Sequence, residues 1–136
     1  HLLRHQDDRL ALVSYLESGE RRTLTYAELL TQVSHVAAYF RAQGIEAGDR
    51  VAGFMPNVLE TVVAMLAATS LGATWSSCSP DFGLQGVLDR FGQITPKLLI
   101  TADGYYYNTK RVDCIEKIAD TAITRHRFHP ECRFLE

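Results

Sequence analysis

The 136-residue sequence contains neither GxGxxG nor GxxxxGK[ST], so the two glycine-rich patterns that cradle phosphates most recognisably are missing. No GxSxG elbow surrounds any serine, which removes the signature of an α/β-hydrolase nucleophile. Cysteine is scarce: Cys78, Cys114 and Cys132 form an odd set without a pairing pattern, as expected of a reducing, cytoplasmic compartment. Charge of neither sign dominates. Fourteen Lys and Arg stand against sixteen Asp and Glu, a net −2 that makes no electrostatic case for nucleic acid or an anionic membrane. The longest weakly charged apolar run, Val58–Ala73, is too short to span a bilayer comfortably. No charged segment followed by an apolar stretch opens the chain, so no secretion signal is expected. The first residue is His1 rather than methionine, which sets the expectation of a piece of a longer protein.

What is present is ordinary globular material, 46% apolar and 22% charged, enough for one domain with one sizeable core. Leu10–Glu17 and Arg22–Thr25 flank a turn at Ser18-Gly19-Glu20 and predict a short antiparallel hairpin. Thr25-Tyr26-Ala27-Glu28 is a capping box, and Tyr26, Leu29, Leu30, Val33, Val36, Ala37 and Phe40 follow at helical spacing. Gly44 is placed to end that helix in a left-handed conformation. Arg50–Met55 predicts a strand stopped by Pro56, with Asn57 capping a helix over Val58–Leu71. That helix has Glu60 as its single ionisable residue, a pattern that demands burial on more than one side.

Gly72 closes the helix, Ala73–Cys78 predicts the next strand, and Ser79–Gly83 a turn that Asp81 or Gly83 ends as a helix cap. Leu84, Val87, Leu88 and Phe91 mark the core face of the helix that follows. Leu98–Ala102 predicts another strand, Asp103-Gly104 a turn, Tyr105–Lys110 a loop, and Val112, Ile115, Ile118 and Ala119 a last helix. Thr121–Glu136 lacks apolar periodicity and reads as a poorly ordered tail, with Cys132–Leu135 a poor strand.

Strand–helix units at this spacing imply an α/β fold: a mainly parallel sheet with helices on both faces, in three layers, plus the N-terminal hairpin. Strand ends near Pro56, Ser79 and Asp103 then share one edge, where ligands of open sheets gather. Ser76, Ser77, Cys78 and Ser79 lie near one such end, but without an elbow or neighbouring histidine they read as close-packing residues. His126, His129 and Cys132, with Cys114, match no structural zinc spacing. Tyr105–Lys110 has two readings: a solvated loop, or a surface where a base or pantetheine stacks while Lys110 meets a phosphate.

Three segments together resemble the adenylate-forming acyl-CoA ligases: LTYAEL at 24–29, GDRVAGFMPN at 48–57, and MLAATSLGATWSSCSPDFG at 65–83. VLDRFGQITPKLLITADGYYYN at 87–108 narrows the resemblance to the acetoacetyl-CoA synthetase branch. It covers residues 1–120, a partial N-terminal domain, and leaves 121–136 outside it. The resemblance implies a parent that activates acetoacetate with ATP and Mg2+ to an acyl-adenylate and transfers it to coenzyme A. It also implies that the family's Ser/Thr/Gly-rich phosphate loop and C-terminal domain lie elsewhere, so this chain alone is expected to be inactive. By the same likeness Asp81, Phe82 and Gly83 would line the nucleotide end of coenzyme A. Lys110 would stand where an arginine meets its phosphate, and Tyr107 where relatives carry a second arginine. Related acetyl-CoA enzymes have Gly-Gly where this chain has Pro80-Asp81.

Two other readings start from the residues alone. One is a self-sufficient flavodoxin-like module that binds a nucleotide or coenzyme. The other is a self-associating unit, joined through an open sheet edge or the apolar Val58–Leu71 helix.

Overall fold

The computed structural model describes residues 3–108, 110–114 and 133–135. Strands β1 (Leu10–Tyr15) and β2 (Arg21–Thr25) pair antiparallel, and Thr25 hands the chain directly to helix α1 (Tyr26–Ala42). The capping box forms: Thr25 Oγ1 accepts the Glu28 N–H at 3.2 Å, and Glu28 Oε2 accepts the Thr25 N–H at 2.8 Å. At the other end Gly44, at φ 80°, lets the Ile45 N–H return to Phe40 O and the Gly44 N–H to Arg41 O, both at 3.0 Å. That paired closure is the Schellman arrangement, and Ile45 is buried as its apolar contact.

The main sheet follows: β3 (Arg50–Phe54), α2 (Leu59–Ser70), β4 (Thr74–Cys78), α3 (Leu84–Ile94) and β5 (Leu98–Thr101). After β5 come β6 (Gly104–Tyr107) and β7 (Lys110–Asp113), an antiparallel pair, and finally β8 (Arg133–Leu135). The sheet order is β4-β3-β5-β8, all parallel. From β3 the chain steps one way to β4 and then back past β3 to β5. Right-handed crossovers send two opposite steps over opposite faces, and the two cores show that outcome. Val51 and Leu98 face a core built with α1 and α2, whereas Ala52, Phe54 and Leu99 face one built with Val87, Leu88 and Phe91 of α3. The three-layer α/β expectation holds.

Several local expectations need correction. Asn57 does not cap α2. The cap position is Val58, without a side-chain bond; the Thr61 N–H goes to Val58 O at 3.2 Å, and Pro56 O accepts the Val58 N–H at 3.0 Å and the Thr61 hydroxyl at 2.7 Å. Tyr105–Lys110 is not a loop, since Tyr105, Tyr106 and Tyr107 pair with Val112, Arg111 and Lys110. Val112 accordingly sits in β7 rather than at the start of a helix. Three consecutive tyrosines have high strand propensity, which the helical spacing of Val112 and Ile115 concealed. The rest of that helix, and most of the tail, lie outside the described residues. Arg133–Leu135, a poor strand by composition, pairs with Leu98–Ile100 of β5. A parallel ladder is made by backbone groups, so an unpaired flank of β5 accepts a segment with little apolar pattern.

The apolar helix α2 is covered as its sequence requires. Leu59, Val63, Ala64, Leu66, Ala67 and Ala68 are buried in the core shared with α1, the hairpin and the sheet. Glu60 escapes to the surface and pairs with Arg22 of β2.

Candidate functional site

The connection leaving β3 passes over one face of the sheet and the connection leaving its neighbour β4 over the other. Between their carboxyl ends the backbone therefore diverges and leaves a crevice. A cleft of about 600 Å³ lies there, floored by Pro56, Asn57 and Val58 after β3 and by Ser79 and Asp81 after β4. Gly104 to Tyr107 of β6 form one wall. The opposite wall is the turn of the N-terminal hairpin, Tyr15 to Ser18 with Glu20. The expected meeting of strand ends near Pro56, Ser79 and Asp103 is thus what the topology produces.

The turn after β4 is stiff for reasons visible in its residues. Pro80 presets φ, the Phe82 N–H reaches Ser79 O at 3.1 Å, and Pro80 is buried. Ser79 Oγ donates to Asp81 Oδ2 at 2.9 Å, and the Tyr105 hydroxyl donates to Asp81 Oδ1. Asp81 therefore does not cap α3. Gly83 holds that position, with no side-chain bond. Burial first, then the hydrogen bond to Asp81 and its negative charge, push the Tyr105 phenol up to about 12.

The five residues singled out from the sequence divide into groups. Asp81 and Tyr107 both line the cleft, and Asp81 is joined to β6 through Tyr105. Phe82 is 42% exposed, and its ring lies over Gly86 of α3 with the Arg90 guanidinium 5.1 Å from its centroid. Gly83 opens α3, where its carbonyl accepts the Val87 N–H at 3.2 Å. Lys110 stands opposite Tyr107 on the hairpin, exposed, beside the cleft rather than among its described lining residues. The two flank one ribbon tip, where Asn108 takes φ 48°.

Sequence reasoning missed three participants. Arg90 is a cation at the turn, and its spacing of four from Gly86 and eight from Phe82 was a legible helical signal. The Tyr105 hydroxyl was hidden because its partner lies 24 residues away. The hairpin wall had no local signal at all. Burial raises the Cys78 thiol to about 11, against a weaker lowering by Arg90. Ser79 is engaged with Asp81. Of the histidines described, His5 and His35, neither lines the cleft. Among the described residues no group of His, Cys, Asp and Glu is arranged to hold a metal ion, and His126, His129 and Cys132 lie outside them.

The GDRV segment works at the opposite edge of the sheet. Asp49 Oδ2 accepts the Glu46 N–H at 2.8 Å and the Lys97 ammonium at 2.9 Å, while Lys97 Nζ also donates to Gly44 O at 2.6 Å. Partial burial resists the ionised form of Asp49, yet Lys97 and the amide outweigh it and hold its carboxyl below the usual value of 3.8. One carboxylate thereby ties the end of α1, the entry to β3 and the entry to β5.

Comparison with known proteins agrees with this architecture. The chain is 55% identical over 122 residues to the acetoacetyl-coenzyme A synthetase of Rhizobium meliloti, covering 90% of this chain and 19% of that protein. It is 50% identical over 120 residues to the Xenopus tropicalis acetoacetyl-CoA synthetase, covering 87% and 18%. A solved structure, acetoacetyl-CoA synthetase from Streptomyces lividans, superposes with a TM-score of 0.89 at 43% identity, covering 98% of this chain and 20% of that one. The chain thus spans about a fifth of the length of these relatives. The AMP-binding enzyme family matches residues 1–130. On that match, and on the sheet it accompanies, the chain belongs to the AMP-binding enzyme family.

Proposed function

We propose that this chain corresponds to an early segment of an acetoacetate–CoA ligase and supplies one wall of its coenzyme A site. The longer protein would join acetoacetate to ATP as an acyl-adenylate, release pyrophosphate, and pass the acyl group to the coenzyme thiol with release of AMP. The observation that carries the reading is the 55% identity to an acetoacetyl-coenzyme A synthetase across 90% of the chain. The cleft supports it, because its tyrosines suit a flat base or a pantetheine arm, whereas Lys110 stands beside it as a cation for phosphate.

The adenylation chemistry belongs to the rest of the relatives' length, because the 136 residues hold no phosphate-binding glycine pattern. Magnesium would enter with ATP. Among the described residues no group of three or more His, Cys, Asp or Glu could hold a metal ion.

Two measurements on the 136-residue chain test this reading. ATP–pyrophosphate exchange with acetoacetate is expected to show no turnover, and turnover would overturn the assignment of adenylation to the remainder. Calorimetric titration with coenzyme A is expected to show binding that weakens when Lys110 becomes alanine. Tight uptake of a flavin instead would favour a self-sufficient module.

A further inference from the structure

A carboxylate is an unexpected lining for a site that receives phosphates, since like charges repel. Asp81 nevertheless stands in the turn after β4, and both of its oxygens are engaged from within the chain. Oδ2 accepts Ser79 Oγ and Oδ1 accepts the Tyr105 hydroxyl. Tyr105 links two environments. Its half-buried ring packs against the core formed by Ala52, Phe54, Val87, Phe91 and Leu99, and its hydroxyl emerges at Asp81. The β6–β7 hairpin needs such an anchor, because a two-stranded ribbon on its own is marginal in water. Other contacts at its base are the Cys114 N–H on Asp103 O at 2.9 Å, Arg111 on Asp103 at 3.3 Å, and Cys114 itself, buried in that same core.

We propose that Asp81 and Tyr105 are positioning residues, a latch that docks the β6–β7 hairpin on the turn after β4 and does not itself contact the coenzyme. The role rests on the coenzyme reading of the cleft. Tyr107 and Lys110 share a face of the ribbon with Tyr105, because Tyr105 and Tyr107 are two residues apart and Lys110 is paired with Tyr107. The latch therefore sets where the stacking ring and the cation stand. It also spreads the Asp81 charge over two donors before any phosphate arrives. The raised phenol pKa of about 12 keeps the donor hydrogen in place at neutral pH.

The test uses the 136-residue chain as wild type, Y105F, D81A, the double variant Y105F/D81A, and D81N. The amide oxygen of D81N can still accept the phenol hydrogen. Hydrogen exchange of residues 104–113 reads the latch, and calorimetry with coenzyme A reads its consequence. Y105F and D81A are each expected to speed exchange in the hairpin about tenfold, the low end for a hydrogen bond to a charged group. The double variant should exchange no faster than either single one, and D81N should stay near wild type. Coenzyme affinity should fall about tenfold in Y105F and D81A and return in D81N. Y105F keeps the buried ring, so it remains informative if D81A fails to fold. Unchanged hairpin exchange in Y105F, or additive effects in the double variant, would overturn the latch. A hairpin loosened in Y105F with coenzyme affinity unchanged from wild type would uphold the latch and overturn the coenzyme reading of the ribbon.

Discussion

Phe91→Ala isolates the packing that holds the cleft's floor in place. Phe91 is 0% exposed and lies in a second core whose buried members among the described residues are Ala52, Phe54, Cys78, Val87, Leu88, Phe91, Leu99 and Cys114. It is the largest fully buried side chain of α3, and α3 carries Gly83 at its start and Arg90 on its surface. A buried phenylalanine withdraws on the order of 150–250 Å² from water. At about 25 cal/mol per Å², that amounts to about 4–6 kcal/mol for the whole side chain. Alanine retains the β-carbon, so the loss falls to about 3–5 kcal/mol. Against a typical total of about 5–15 kcal/mol, a loss of that size threatens the fold itself. The assay is urea unfolding followed by the fluorescence of Trp75, the chain's one tryptophan, which packs on the other core. Phe82→Ala is the control: that ring is 42% exposed, and its removal should cost under about 1 kcal/mol. Equal costs for the two variants would refute the claim that α3 is held by its buried face.

Two further substitutions address the sheet. A β-carbon on Gly53 would stand 2.6 Å from the Trp75 ring, which leans across from β4, so Gly53→Ala should destabilise by about 1–3 kcal/mol and shift the Trp75 emission; an unshifted spectrum with unchanged stability would count against that packing. Asp49 has a folded pKa below its unfolded one, so its contribution is complete above the unfolded value of 3.8 and fades as pH falls through the lower folded value. Asp49→Asn should lower stability at neutral pH and flatten the decline that wild type shows on acidification, measured as the urea midpoint at successive pH values. Parallel acid profiles for the two proteins would remove Asp49 from that decline.

Most of the scaffold was legible because it is written in short-range terms. The Thr25–Glu28 box, the glycines at 44 and 72, Pro56 and the apolar stripe of α1 each act within a few residues, and each marks the element boundary where the structure has it. The stretches misread are those whose conformation is settled from a distance. Asn57 is a good cap by composition, but the helix takes Val58 as its cap position, and the Thr61 N–H goes to Val58 O. Tyr105 to Asp113 was divided between a loop and a helix, because neither the alternation of the ribbon nor its pairing is strong within four residues. Arg133–Leu135 joins the sheet by a backbone ladder with β5, which composition does not announce.

The candidate site follows the same division. Strand–helix alternation and handedness are local rules with one topological outcome, so the sequence by itself determined that Ser79–Gly83 would lie at a ligand-collecting edge of a three-layer sheet. Only the tertiary structure decided that Asp81 would bond Tyr105, that Phe82 would lie under Arg90 on α3, and that the first hairpin would close the far wall. Those contacts join residues that are remote along the chain or turned toward one another by packing. Their energies depend on distances that exist only once both cores have formed.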